Sequence, residues 1–124
     1  MDLNFQVPRG RRVVEAYGEG GFRISGEAVS GSVLVFPTEV LAWAPATLSA
    51  VDPDALAPIL ARAADLDLLL IGCGPRMEGL APMLRQSLRA AGLGVETMDT
   101  GAACRTYNVL IQEDRRVAAA LIAV

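Results

Sequence analysis

The segment VAAALIAV, residues 117–124, is apolar on both of its alternating faces. In an extended conformation Val117, Ala119 and Leu121 point one way, and Ala118, Ala120 and Ile122 the other. A strand without a polar face must be covered from both sides, so this one belongs in the middle of a layered sheet although it comes last in the chain. Its alanines let the covering elements approach closely. LDLLLIG, residues 66–72, carries the same signature and ends at Gly72. Two such strands require structure packed on both faces of one sheet.

The rest of the chain supplies those layers. RVVEAY, FRIS, SVLVFP and VLAWA are short runs rich in Val, Ile, Phe and Trp, punctuated by GEGG and SGEAVSG. They read as antiparallel strands joined by tight turns. Asp52-Pro53 opens a helix, with Asp as N-cap and Pro in the first turn, and Leu56, Ile59, Leu60 and Ala63 form its apolar stripe. A second helix is expected from about Gly79 to Ala91, with Leu80, Met83, Leu84 and Leu88 inward and Gly92 as the residue after its end. GVETM then reads as a strand. A third helix starts near Thr100, capped by Asp99 or Thr100, with Ala103, Tyr107, Leu110 and Ile111 inward and Arg115 and Arg116 just past its C-terminus. The expected fold is a single α/β domain over residues 1–124, layered β/β/α, with a mixed central sheet and an antiparallel N-terminal β layer.

Composition prunes the chemistry. With 52% hydrophobic and 20% charged residues, a chain of 124 residues builds a real core without staples. A formal charge of −3 offers no broad positive surface for nucleic acid. The sequence holds no His and no Lys, which removes imidazole acid/base work, Ser-His and Cys-His pairs, Schiff-base chemistry and the P-loop lysine. Cys73 and Cys104 are too few and too far apart for a metal knuckle, and reduced thiols are expected. MDLNFQVPRGRR lacks the apolar centre of a secretory signal, and no apolar run reaches the ~20 residues of a membrane span. A soluble, cytoplasmic protein is expected.

Two loops follow strands expected to be parallel, GCGPRMEG (Gly72 to Gly79) and MDTGAAC (Met98 to Cys104), and each is expected to lead into a helix N-terminus. The carboxyl ends of parallel strands are the usual ligand crevices of open α/β sheets. The first loop is no nucleotide motif. Met77 stands where a dinucleotide fingerprint needs its third Gly, and Leu80 where a P-loop needs Lys. A small anion held by helix-start N–H groups with Arg76 and Arg105 is the surviving reading, set against plain tight turns and solvated arginines. The candidate cleft therefore comprises Gly72, Cys73, Gly74, Arg76, Asp99, Thr100, Cys104, Arg105, Tyr107 and Asn108. Each also has a structural reading: Cys104 as a small buried residue, Tyr107 as an inward ring with its hydroxyl satisfied, Asn108 as bonded to a neighbouring loop. Glu113 to Arg116 reads as a solvated helix end, and Trp43 as core packing before interface. No catalytic constellation and no cofactor or metal site is expected.

The series Y-x-x-G-G-F-R-I-S-G from Tyr17, G-S-V-L-V-F-P from Gly31, L-L-L-I-G-C-G from Leu68, and the stretch from Met98 to Ile122 resembles a single-domain family. These are largely uncharacterised proteins with an Mth-type domain, and they include the mitochondrial assembly factor 3 of NADH dehydrogenase (complex I). Asp99, Thr100, Ala103, Thr106, Tyr107, Asn108, Leu110, Glu113, Arg115 and Arg116 fit the family's C-terminal pattern. The resemblance implies a β/β/α fold and a non-enzymatic assembly role. The implied partners are NADH dehydrogenase subunits or other assembly factors, and a homo-oligomer is compatible with it. Without a convincing targeting peptide, the chain looks like a bacterial version.

Overall fold

A computed structural model describes residues 10–124, so most of the MDLNFQVPRGRR segment lies outside the described residues. Eight strands follow one another as β1 Val14–Gly18, β2 Gly21–Ile24, β3 Glu27–Ser30, β4 Val33–Val35, β5 Val40–Ala42, β6 Leu68–Gly72, β7 Gly94–Met98 and β8 Val117–Leu121. The helices are α1 Pro53–Leu60, α2 Pro82–Ala90 and α3 Thr100–Gln112. Strands β1, β2 and β3 form a three-stranded antiparallel sheet, and the others form a five-stranded mixed sheet in the order β5-β4-β8-β6-β7. The architecture is a single α/β domain of the expected class.

β8 occupies the centre of the larger sheet, parallel to β6 and antiparallel to β4. Its two faces divide the core. Val117, Ala119 and Leu121 join Val33, Val35 and Leu70 under the small sheet and α3, where Phe22, Ile24, Ala103, Tyr107 and Ile111 close the layer. Ala118, Ala120 and Ile122 join Leu34, Leu69 and Ile71 beneath α1 and α2, with Leu56, Ile59 and Leu88. Every residue of β8 is buried, which is why neither face tolerates a polar side chain. The alanines of its middle leave room for α3 on one side and the paired helices on the other.

α1 starts as expected, with Asp52 accepting from the Ala55 N–H at 2.9 Å and Pro53 in the first turn. α2 ends before Gly92, whose φ of 90° is in the left-handed region that glycine enters without strain. Trp43 is core, its indole Nε1 donating to the Ala55 carbonyl at 2.9 Å.

Four expectations need correction. SGEAVSG is more than a turn, since Glu27–Ser30 within it is the edge strand β3; its residues are mostly exposed, so it carries no apolar signal. Nor do the early strands make one layer, because β4 and β5 belong to the larger sheet, β4 beside β8 and β5 at its edge. α2 begins at Pro82, three residues later than Gly79, because proline suits the first helical turn. Leu60 and Met83 face solvent, at 37% and 81% exposure, so the apolar stripes of α1 and α2 are narrower than the spacing implies.

Candidate functional site

β6 and β7 are parallel neighbours, so the loops after them meet at one end of the sheet. They meet by packing. The Cys73 N–H donates to the Met98 carbonyl at 2.8 Å, and the Thr100 N–H to the Gly74 carbonyl at 2.9 Å. A Cβ built on Gly72 would lie 2.9 Å from the Thr100 Cα, so only glycine lets β6 pass the start of α3 this closely. Fully buried Thr100 fastens the junction: its Oγ1 accepts from the Gly74 N–H at 2.9 Å and donates to the Ile122 carbonyl at 2.7 Å. Asp99 caps α3 by accepting from the Ala102 N–H at 2.9 Å. The first loop does not enter a helix directly; it runs on to Pro82.

The remaining candidate residues separate from this junction. Arg76 lies on the exposed part of the 72–79 loop, beside a cavity of about 310 Å³ lined also by Ala46 to Ser49, Cys73, Gly74 and Ile122. Arg105 turns to β1 and donates to the Tyr17 hydroxyl at 3.0 Å. The Tyr107 hydroxyl donates to the Arg12 carbonyl at 2.9 Å, with the Phe36 carbonyl at 3.3 Å. Asn108 acts as one rung of a sheet ladder toward β1, its Oδ1 accepting from the Val14 N–H at 2.9 Å and its Nδ2 donating to the Val14 carbonyl at 2.7 Å. A strand, rather than a loop, is thus the partner of Asn108. Together these bonds fix α3 to the small sheet.

The thiols are held in their protonated form. Burial pushes the Cys104 thiol up to about 12, outweighing the attraction of Arg105. Burial also raises Cys73, whose Sγ–H donates to the Glu78 carbonyl at 3.2 Å. Neither supplies a thiolate nucleophile near neutral pH. Burial raises the Tyr107 hydroxyl as well. Among the described residues no group of three or more Cys, Asp or Glu side chains is placed to hold a metal ion, and no helix is long and apolar enough to cross a membrane.

A different cluster lies at the opposite end of the sheet, where β6 and β8 begin. A cavity of about 310 Å³ is lined by Arg11, Arg62, Arg115 and Arg116, with Glu39, Asp65 and Asp114 at its rim and Phe36, Pro37 and Leu66 as apolar wall. Arg62 bonds Glu39 at 2.9 Å, Arg11 bonds Asp114 at 2.8 Å, and Arg116 lies 3.6 Å from Asp67. The Arg62 guanidinium also lies 4.9 Å from the Phe36 ring centroid, and its hydrogen bond holds the Glu39 carboxyl below the usual carboxylate range. The sequence shows these residues only as scattered charges, and nothing in their spacing gathers them.

The arrangement defines a layered α/β scaffold whose signature helix uses its polar side chains to join two sheets. The chain belongs to the family described as protein of unknown function (DUF498/DUF598), whose model matches residues 14–122. It is 35% identical over 109 residues to the NADH dehydrogenase [ubiquinone] 1 alpha subcomplex assembly factor 3 of Xenopus tropicalis, covering 88% of this chain and 60% of that protein. An uncharacterized protein of Rhodobacter capsulatus is 38% identical over 109 residues, covering 88% of this chain and 82% of the relative. A crystal structure described as an outer membrane protein from Bartonella henselae superposes with a TM-score of 0.87 at 36% identity, covering 93% of this chain and 97% of that one. The chain thus spans about three fifths of the length of the assembly factor it matches.

Proposed function

We propose that the chain acts without catalysis, by protein contact, in assembling a respiratory NADH dehydrogenase, as a bacterial, cytoplasmic counterpart of the assembly factor. The likeness to that factor over 88% of the chain carries this reading. The inward use of Thr100, Tyr107 and Asn108 agrees with it, because these polar groups hold a scaffold together. Deletion of the gene is expected to lower the amount of assembled NADH dehydrogenase on native gels, with the tagged chain retrieving its subunits from the same cells. Normal complex in the deletion strain, with no subunit retrieved, overturns the proposal.

A second reading is favoured by the cavity against Gly74 and Arg76. There the chain would be a binding module that holds a small anion beside the 72–79 and 99–104 loops. Titration with inorganic phosphate is then expected to move the amide resonances of Gly74 to Glu78. Saturating phosphate without such shifts removes this reading.

A further inference from the structure

We propose that residues 75–81 form a strap, held shut by the Leu80 side chain, that lifts from the domain as a local unit while the sheets and helices stay folded. Its two ends are fixed. The Gly74 N–H and carbonyl both bond Thr100, and the Ala81 carbonyl accepts from the Leu84 and Arg85 N–H groups where α2 begins. Between these points the backbone is almost unbonded: no N–H from Arg76 to Ala81 donates to a protein group among the described residues, and Pro75 has none to give. Pro75 to Gly79 and Ala81 are exposed, so Leu80, at 7%, is the strap's one buried side chain. Exposure, few apolar contacts and an unbonded backbone mark a segment that opens well below the free energy of global unfolding.

The strap separates two cavities. One, of about 310 Å³, is lined by Cys73 and Ile122, and the other, of about 330 Å³, by Val51, Leu80 and Leu84; Leu48, Ser49 and Glu78 line both. The polar tie across this divide is the Cys73 Sγ–H, a weak donor, on the Glu78 carbonyl at 3.2 Å. Lifting Glu78 and Leu80 breaks that tie, joins the two cavities into one groove along the 48–51 segment and uncovers Cys73. Gly74, at a φ of 109°, and Gly79 take up the change in backbone angles that the movement needs. The strap rests on neither the assembly role nor the anion reading.

The two cysteines test it, because Cys104 is buried on the other face of the larger sheet, in the layer closed by α3 and the small sheet. The full chain is alkylated with iodoacetamide at pH 8 in rising urea below the unfolding transition, and peptide mass spectrometry reads each thiol. Cys73 is expected to react at least about a hundredfold faster than Cys104, since local opening lies far below global unfolding. Its rate should stay nearly flat in urea, because a short strap exposes little surface, while the Cys104 rate climbs. Leu80→Val removes one methylene from the closed state and should raise the Cys73 rate about fivefold. Cys73 reacting no faster than Cys104, or with the same urea dependence, would mean that only global unfolding exposes it. A Cys73 rate unmoved by Leu80→Val would mean that the reagent reaches the thiol with the strap closed. Either result overturns the proposal.

Discussion

Thr100→Val is expected to lower the unfolding free energy by about 3 kcal/mol, and the melting temperature by about 10 °C. The substitution keeps the shape of the side chain and removes only the hydroxyl. That hydroxyl serves two buried groups at once, the Gly74 N–H at 2.9 Å and the Ile122 carbonyl at 2.7 Å. Leaving a buried polar group unmatched costs about 1–3 kcal/mol each, and two are orphaned here. Gly74 and Ile122 both line the neighbouring cavity, so water can recover part of the loss, which keeps the figure in the lower half of the summed range. Thr100→Ser retains the hydroxyl and deletes one methyl, for about 1 kcal/mol. Urea unfolding of the three proteins separates the cases. A valine variant no weaker than the serine variant would mean that the hydroxyl does not latch the 72–79 loop to β8.

The latch also explains how much of this fold the sequence discloses. Where burial alone decides, the pattern is readable: the double-sided apolarity of Val117 to Ile122 and of Leu68 to Ile71 places β8 and β6 inside the sheet, and Asp52-Pro53 starts α1. Where hydrogen bonding to a distant segment decides, it is not. β3 is held by its ladder to β2 across mostly exposed residues, so nothing apolar announces it. Leu60 and Met83 fit a helical stripe, yet the sheet is narrower than the stripe and leaves them in solvent.

The candidate residues divide in the same way. Gly72, Cys73, Gly74, Asp99 and Thr100 meet because β6 and β7 are parallel neighbours, a relation that two short strand–helix units already suggest. The use of Arg105 on Tyr17 and of Asn108 on Val14 depends on how the small sheet docks, and their sequence separations of 88 and 94 residues carry no periodicity that reveals it. The arginine-lined cavity gathers residues from the start, the middle and the end of the chain. A charge run such as Glu113 to Arg116 reads as a solvated helix end until Arg11 and Arg62 are seen beside it.

Asn108→Asp should make the stability of the whole domain depend on pH in a way that the native protein does not. Asn108 is 4% exposed and offers β1 one acceptor and one donor. An ionised Asp keeps the acceptor toward the Val14 N–H but turns an oxygen lone pair onto the Val14 carbonyl, where the amide donated at 2.7 Å. Burial and that repulsion both disfavour the charged form, so the folded-state pKa of the new carboxyl rises above its unfolded value of about 3.9. The sign follows from linkage: a protonated carboxyl can donate to the Val14 carbonyl, so the variant is least impaired below the unfolded pKa and loses stability as pH rises through the folded pKa. At pH 8 the deficit against the native protein should be about 3 kcal/mol or more, from a buried charge facing an acceptor. It should shrink steadily toward pH 4. Urea midpoints of the two proteins measured side by side across that range give the difference directly. A deficit that stays constant with pH would show that Asn108 contributes shape alone, and that β1 does not need its donor to stay joined to α3.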